Sequence, residues 1–479
     1  MSEARTGQRI VARLKEAWRG LSTSARAVVG APRAENPDLP DDEFPALRTR
    51  IADCLEGRGG ETRARARAAE LGQLYLGLST EGRKRFMRLL AAETEIDRTA
   101  AAAAARAAIS AWEGGEAKSI AKAERALRRS IDSPRGRLLA QFTALSDGVK
   151  FLIDRRAELL DWSREDPVFA SIAEELRELF VAWFDLGFLE LERITWESPA
   201  ILLERLAAYE AVHAVRDWAD LKNRLDGDRR FFAFFHPRMP LEPLIFVEVA
   251  LVNGLADNVQ ALLDEKAPLG DPAAADTAIF YSISNAQRGL AGISFGGFLI
   301  KRVAQTLGAE YPNIRTFATL SPIPGFRSWL EARISEGMPK LLLAGERKAL
   351  TAALAARGGK SVAASKGELK RALASGAWLD DPVLSDAMKA PLSRLCVRYL
   401  VEAKRPDGRA LDPVAHFHLS NGARVERLNW RADTSTKGIR QSAGLMVNYL
   451  YRLADIEANH EAYAADGKVA ASSAIKSLL

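Results

Sequence analysis

TAIFYSISNAQRGLAGISFGGFLIKRVAQTL, residues 277–307, holds the reading that decides the fold. Its first eight residues are largely apolar and rich in β-branched and aromatic side chains, which predicts a strand over 277–284. The segment that follows, 285–307, opens with glycines and closes with Phe295, Phe298, Leu299, Val303 and Leu307 at helical spacing, with Lys301 and Arg302 towards the other side. A strand that feeds a Gly-rich loop and then a helix presents several backbone N–H groups at the positive end of that helix. Such a loop can hold phosphate or pyrophosphate. Gly289, Gly292, Gly296 and Gly297 match neither the Walker A spacing nor GxGxxG, so a nucleoside triphosphate or a dinucleotide is poorly supported. A turn with no ligand would account for the same glycines.

Outward from this segment, FFAFFH (231–236) and LIFVEVALV (244–252) are short apolar runs joined by the turn PRMPLEP, and they read as antiparallel strands. IRTFATLSPI (314–323) is a further β-like run that ends in SPIPGF. Residues 331–380 look helical and Ala/Lys-rich, with Ser/Gly loops at 358–366, as an insertion would. The first half differs. From 42 to 182, Ala, Leu, Arg and Glu dominate, and Ser79 with Thr80 is an expected N-cap before Phe86, Leu89 and Leu90. The Ala-rich 99–112 suits close helix packing. Phe180, Trp183, Phe184 and Phe188 form an aromatic stripe expected to be core. The stretch ENPDLPDDEFP (35–45) reads as a linker. The organisation expected is therefore a basic tail and linker over 1–41, a helical assembly domain over 42–182 and an α+β catalytic domain over 183–479.

The chain has 479 residues, 48% apolar and 27% charged, with a net charge of +6, which describes an ordinary globular protein. No apolar run approaches the ~20 residues that a membrane helix needs. Its basic residues are dispersed without an aromatic-interleaved patch, which argues against nucleic acid as partner. Cys54 and Cys396 make no metal or disulfide pattern, and a reducing, cytoplasmic interior is expected. The first thirty residues are basic, but Glu3 and Glu16 break the acid-poor pattern of a targeting segment, and a frayed helix is expected. The C-terminal Ser-Leu-Leu falls short of a peroxisomal signal. Five histidines form no ligand pair on a helix, so no metal site is expected.

Two further places can carry chemistry. Ser321 in LSPIPGF ends a strand and is held between prolines and a glycine, although no Gly-x-Ser-x-Gly elbow surrounds it and a turn-capping role would explain it. In DPVAHFHLSNGA (412–423), a strand would put His416 and His418 on one face, with an Asn-Gly turn beyond. Asn421 could there donate its amide to a carbonyl or oxyanion, and His416 reads as structural.

The spacing around Gln287 resembles the pyrophosphate loop of acetyltransferase-like folds, in which Gln-x-x-Gly-x-Gly/Ala amides bind coenzyme A. More broadly, residues from about 190 to 455 resemble the malonyl-CoA decarboxylase family. The match is carried by ERITWESPA (192–200), YEAVHAVRDWADLKNRL (209–225), SISNAQRGLAGISFGGFLIKRV (282–303), FATLSPIPGFRSWL (317–330), LCVRYL (395–400) and DPVAHFHLSNGARVERLNWRADTSTKGIRQSAGLMVNYLY (412–451). The resemblance implies a helical N-terminal domain, an acetyltransferase-like catalytic domain and a homo-oligomer, a tetramer in the family. It implies conversion of malonyl-CoA to acetyl-CoA and CO2 with no added cofactor, through an enolate of the thioester. By it, Ser321 and His418 are the catalytic pair, and Ala291, Gly292, Ile293, Ser294, Phe295, Gly296, Gly297 and Ile300 bind coenzyme A. Ser294 stands where the family loop carries an acidic residue. Gln287, Asn421 and Tyr451 are second-rank candidates. An acyl-CoA N-acyltransferase would share the loop but release no CO2, and a non-catalytic acyl-CoA sensor would bind without turnover.

Overall fold

The computed structural model describes residues 36–56, 60–184, 186–293, 298–338, 340–356 and 367–479. The chain divides into two compact units. The first comprises Met1–Glu190, Phe235–Leu244 and Ala286–Ser294, and the second comprises Leu191–Phe234, Ile245–Asn285 and Phe295–Leu479.

Helices fill the first unit: α1 (Phe44–Leu55), α2 (Glu61–Gly77), α3 (Thr80–Glu93), α4 (Arg98–Gly114), α5 (Ala117–Ile131), α6 (Pro134–Gln141), α7 (Gly148–Trp162) and α8 (Pro167–Trp183). Their starts follow from local chemistry. Ser79, Asp97, Ser133 and Asp166 each accept a backbone N–H from the first turn of the helix that follows, and Pro occupies the first helical position of α6 and α8. Tyr75, Phe86, Phe142, Phe151, Phe169 and Phe180 are buried between them. The Ala-rich α4 packs along α5, as its small side chains allow. Two expectations need correction. The described part of the linker stretch, 36–45, is no free linker: Leu39 is buried, the Pro37 carbonyl accepts the Ser79 N–H at 2.8 Å and the Leu39 carbonyl accepts Arg85 of α3 at 2.8 Å, because an apolar Leu and open carbonyls find partners at the start of α3. Of the aromatic stripe, Phe180 and Phe184 are core, whereas Phe188 lies beyond the end of α8 and is 60% exposed.

The second unit is built on a mixed sheet of strands β1 (Glu190–Ile194), β2 (Arg229–Phe235), β3 (Ile245–Val252), β4 (Thr277–Asn285), β5 (Thr316–Thr319), β6 (Ser321–Pro322), β7 (Arg424–Asn429) and β8 (Met446–Leu450). Their order is β1-β2-β3-β4-β5-β8-β6, with β7 paired to β8. β2 and β3 are antiparallel, as their sequences predict. β3 pairs antiparallel with β4, with a bulge beside Glu248 and Val249, and β4 pairs parallel with β5 as far as Phe280 and Thr319. One face of this sheet is apolar, with Ala250, Ile279, Tyr281, Ala318, Leu320 and Met446 packed against Val259 and Leu262. Helices α9 (Ala200–Tyr209), α10 (Trp218–Leu225), α11 (Val259–Leu262), α12 (Phe298–Glu310), α13 (Phe326–Ser335), α14 (Pro382–Val401), α15 (Pro413–Ser420) and α16 (Ile456–Asp466) belong to the same unit. Of the predicted apolar face of α12, Leu299, Val303 and Leu307 are buried, as is Ile300, and Phe295 lies outside the described residues. The expected helical insertion contains Ala344–Ala356 and Glu368–Ser375, and its loops at 358–366 lie outside the described residues.

Candidate active site

Alternation along the strands determines which side chains meet. Thr319 and Ser321 are two apart and share a face, and Ser321 stands opposite Val447 in the β6–β8 pairing. Val447, Tyr449 and the following Tyr451 therefore turn to that same side, away from the apolar core that Ala318, Leu320 and Met446 enter. Asn448 anchors the crossing from beneath, donating its amide to the carbonyls of Thr319 and Ala256.

Above this face lies α15, and here the sequence reading is overturned. Residues 413–420 are helix, not strand, so His416 and His418 are about 200° apart around the axis and point to different surroundings. The cause is local. Asp412 caps the helix by accepting the N–H groups of Val414 and Ala415, and Pro413 takes the first helical position. The Asn421-Gly422 pair, expected as a hairpin turn, is the C-terminal cap. Gly422 has a φ of 76°, where a Cβ would also collide with the Ile456 carbonyl. Asp412 is buried and also accepts the Tyr399 hydroxyl at 3.2 Å, tying α15 to α14.

His418 thereby reaches Ser321. Its Nε2 is 3.1 Å from Ser321 Oγ, and its Nδ1 is 2.7 Å from the Tyr451 hydroxyl. The imidazole stacks on Tyr449 at 4.5 Å. Ser321 Oγ donates to Thr319 Oγ1 at 2.8 Å, and the same oxygen accepts the Tyr449 N–H at 3.1 Å. Burial depresses the His418 pKa to about 3, so the ring is neutral at physiological pH. Burial also raises the Tyr451 hydroxyl well above its ordinary range. The site is thus an uncharged chain of hydroxyls and one imidazole. Such a chain can donate hydrogen bonds to a developing oxyanion and move a proton, and it offers no charged nucleophile.

The other expected residues fall elsewhere. His416 bonds Tyr463 and Ser420 through Nδ1. The Asn421 amide donates back to the Phe417 carbonyl of its own helix at 2.6 Å, which is the geometry of a cap. Gln287 is buried and donates to the Pro243 carbonyl at 2.9 Å. Of the loop, Ala291 and Gly292 are exposed, with Gly292 at a φ of 77°, and Ile293 is buried, as is Ile300 on α12. Ser294, Phe295, Gly296 and Gly297 lie outside the described residues. Arg156 on α7 donates to the carbonyls of Gly289 and Ala291, and a Cβ at Gly289 would collide with the Ile153 carbonyl, so only glycine allows this close approach. Thr319 and Arg156 were not expected. Thr319 had a signal in its spacing of two from Ser321, and Arg156, far away in sequence, had none.

Comparison with known proteins adds an independent finding. Residues 187–479 match the family profile described as malonyl-CoA decarboxylase C-terminal domain, and residues 99–184 match the one described as malonyl-CoA decarboxylase N-terminal domain. The mitochondrial malonyl-CoA decarboxylase of Mus musculus is 40% identical over 376 residues, which cover 76% of this chain and 75% of the mouse protein. That of Anser anser anser is 37% identical over 430 residues, covering 87% and 84%. The crystal structure of malonyl-CoA decarboxylase from Rhodopseudomonas palustris superposes with a TM-score of 0.79 at 40% identity, over 91% of this chain and 99% of that one. The one from Agrobacterium vitis gives 0.79 at 38%, over 90% and 99%.

Proposed function

The chain belongs to the malonyl-CoA decarboxylase family and is a carboxy-lyase that converts malonyl-CoA to acetyl-CoA and CO2; on that premise we propose that Ser321 and His418 carry the chemistry. The observation that carries the proposal is the 3.1 Å approach of Ser321 Oγ to His418 Nε2, made by residues 97 apart in sequence and both buried.

Loss of CO2 from malonyl-CoA leaves an electron pair that the thioester carbonyl accepts, forming an enolate. The substrate therefore supplies its own electron sink, and the reaction needs no added cofactor. The protein's tasks are three. It holds the carboxylate roughly perpendicular to the thioester plane, so that the breaking bond overlaps the carbonyl π system. It places hydrogen-bond donors on the enolate oxygen, each worth on the order of 10²–10³ in rate when preorganised. It then delivers one proton to carbon, and solvent restores that proton after acetyl-CoA leaves. His418 and Ser321 serve the last two tasks, since both carry hydrogens and neither is charged.

The acetyltransferase-like class of the second unit is our reading. It is supported by the parallel β4–β5 pair that ends at Phe280 and Thr319, and by the bulge on the β3–β4 edge. The loop after β4, including Ala291 to Gly297, is assigned to coenzyme A, with the exposure of Ala291 and Gly292 in favour. A homo-oligomer, tetrameric as the family resemblance implies, and a cytoplasmic location belong to the same reading. Among the described residues, no helix is long and apolar enough to cross a membrane.

The purified protein should release CO2 and acetyl-CoA one to one from malonyl-CoA, with chelator present and no biotin or nucleotide added. Ser321→Ala and His418→Ala should each lose at least ~100-fold in kcat while still binding coenzyme A. Near-normal turnover in either variant would remove that residue from the chemistry.

A further inference from the structure

We infer that Tyr451 and Thr319 are positioning residues that give the catalytic pair one proton arrangement, with the imidazole hydrogen on Nε2 of His418. One donor here is fixed by its chemistry, a backbone N–H. That of Tyr449 is donated to Thr319 Oγ1 at 3.1 Å, so this oxygen is an acceptor held in place by the strand. Ser321 donates its hydroxyl hydrogen to the same oxygen at 2.8 Å. A serine hydroxyl has a single hydrogen. In this arrangement Ser321 accepts towards His418, 3.1 Å away, and Nε2 carries the hydrogen. A neutral imidazole has one N–H, so Nδ1 is bare and accepts the Tyr451 hydroxyl at 2.7 Å.

The hydrogens of Tyr451, His418 and Ser321 therefore point one way, towards Thr319. The opposite tautomer would turn the Tyr451 oxygen into an acceptor. Its hydrogen would then need another acceptor inside a pocket where the phenol is 2% exposed, and a buried donor without a partner is costly. Burial of His418, which keeps the ring uncharged, closes the remaining route of double protonation. The consequence for catalysis is specific. His418 meets the substrate as an N–H donor, and it is not poised to strip the proton from Ser321. The pair is arranged to stabilise an enolate and not to make an alkoxide nucleophile. This rests on the reading of Ser321 and His418 as the catalytic pair.

The test combines histidine 15N NMR with kinetics on the full chain. The His418 signals, identified by their loss in His418→Asn, should show the hydrogen on Nε2 and a bare Nδ1. In Tyr451→Phe they should shift to a mixed or reversed tautomer, and kcat should fall about 10–100-fold while KM stays within about twofold. Thr319→Val, which keeps the shape and removes the hydroxyl, should lose kcat comparably, and Thr319→Ser, which keeps the hydroxyl and removes the methyl, should retain it. A wild-type hydrogen on Nδ1 would overturn the inference. So would a Tyr451→Phe protein with wild-type tautomer and turnover, or a Thr319→Ser protein as slow as Thr319→Val. Failure of the underlying reading looks different: His418→Ala would then turn over normally whatever the tautomer.

Discussion

At the scale of single residues, the environment of His418 matters more than its identity. An imidazole in water titrates near 6.5, inside the range where enzymes work. Here burial holds the pKa to about 3, so protonation of this ring should put no step near pH 6.5 into the kcat profile between about pH 5 and 8. Stability carries the sign of the same shift. Below 6.5 the unfolded chain takes up a proton that the folded ring refuses. The contribution is therefore complete above that pH and is lost as pH falls towards 3, by at most about 1.4 kcal/mol per pH unit. Denaturant unfolding of wild type and His418→Asn, compared at pH 7 and pH 5, should show the shallower dependence in the variant. Equal slopes would mean that the ring takes up its proton as readily in the folded protein as in the unfolded chain.

At the scale of elements, α15 shows how a short helix delivers a side chain. Its eight residues run from the Asp412 cap to the glycine at 422, and neither end tolerates much change. Asp412→Ala removes the acceptor of two N–H groups and the partner of Tyr399, so it should cost at least ~1 kcal/mol of stability. Because His418 is carried by this helix, kcat should fall as well, and Asp412→Asn, which keeps a capping oxygen, should recover much of both. Thermal unfolding and turnover of the two variants decide it, and an Ala variant with unchanged turnover would show that the cap does not position the histidine. The same element shows a limit of sequence reading. PVAHFHLS is too short for a 3.6-residue period to separate from alternation, and Asn-Gly ends helices as well as hairpins. The Asp-Pro pair just before it, a helix-start signal, was the better guide.

At the scale of the whole molecule, the second unit also encloses a charged cluster that the chemistry does not use. Arg224 on α10 bonds Asp220 at 3.0 Å and Glu248 on β3 at 3.2 Å, all three buried. Burial and the neighbouring Glu210 push the Glu248 carboxyl up to about 8, while Glu210 accepts the hydroxyls of Ser282 and Ser284. Glu248 therefore holds a proton when folded that the unfolded chain would release above pH 4.5, and this group opposes folding increasingly as pH rises from 4.5 to 8. Arg224→Ala, which takes the guanidinium from Glu248 and leaves Asp220 only its bonds to Arg216 and the N-cap contact of its own backbone, should cost about 3–5 kcal/mol. Glu248→Gln should cost far less at pH 8, and a thermal-melt ranking in the opposite order would refute this account.

Much of this architecture was legible from residue order. The helical first half follows from composition and caps, and the strand, glycine loop and helix of 277–307 follow from periodicity, because these depend on neighbours within a few residues. The pairing of Ser321 with His418 was legible only as a family resemblance, since no local spacing relates residues 97 apart. Tertiary structure decided the rest. Sheet register set Thr319 opposite Tyr449, a capped helix turned His418 inward and His416 away, and burial made the imidazole neutral. Each of these depends on which distant segments come to share a face, and free energies of burial and hydrogen bonding are settled only when those segments meet.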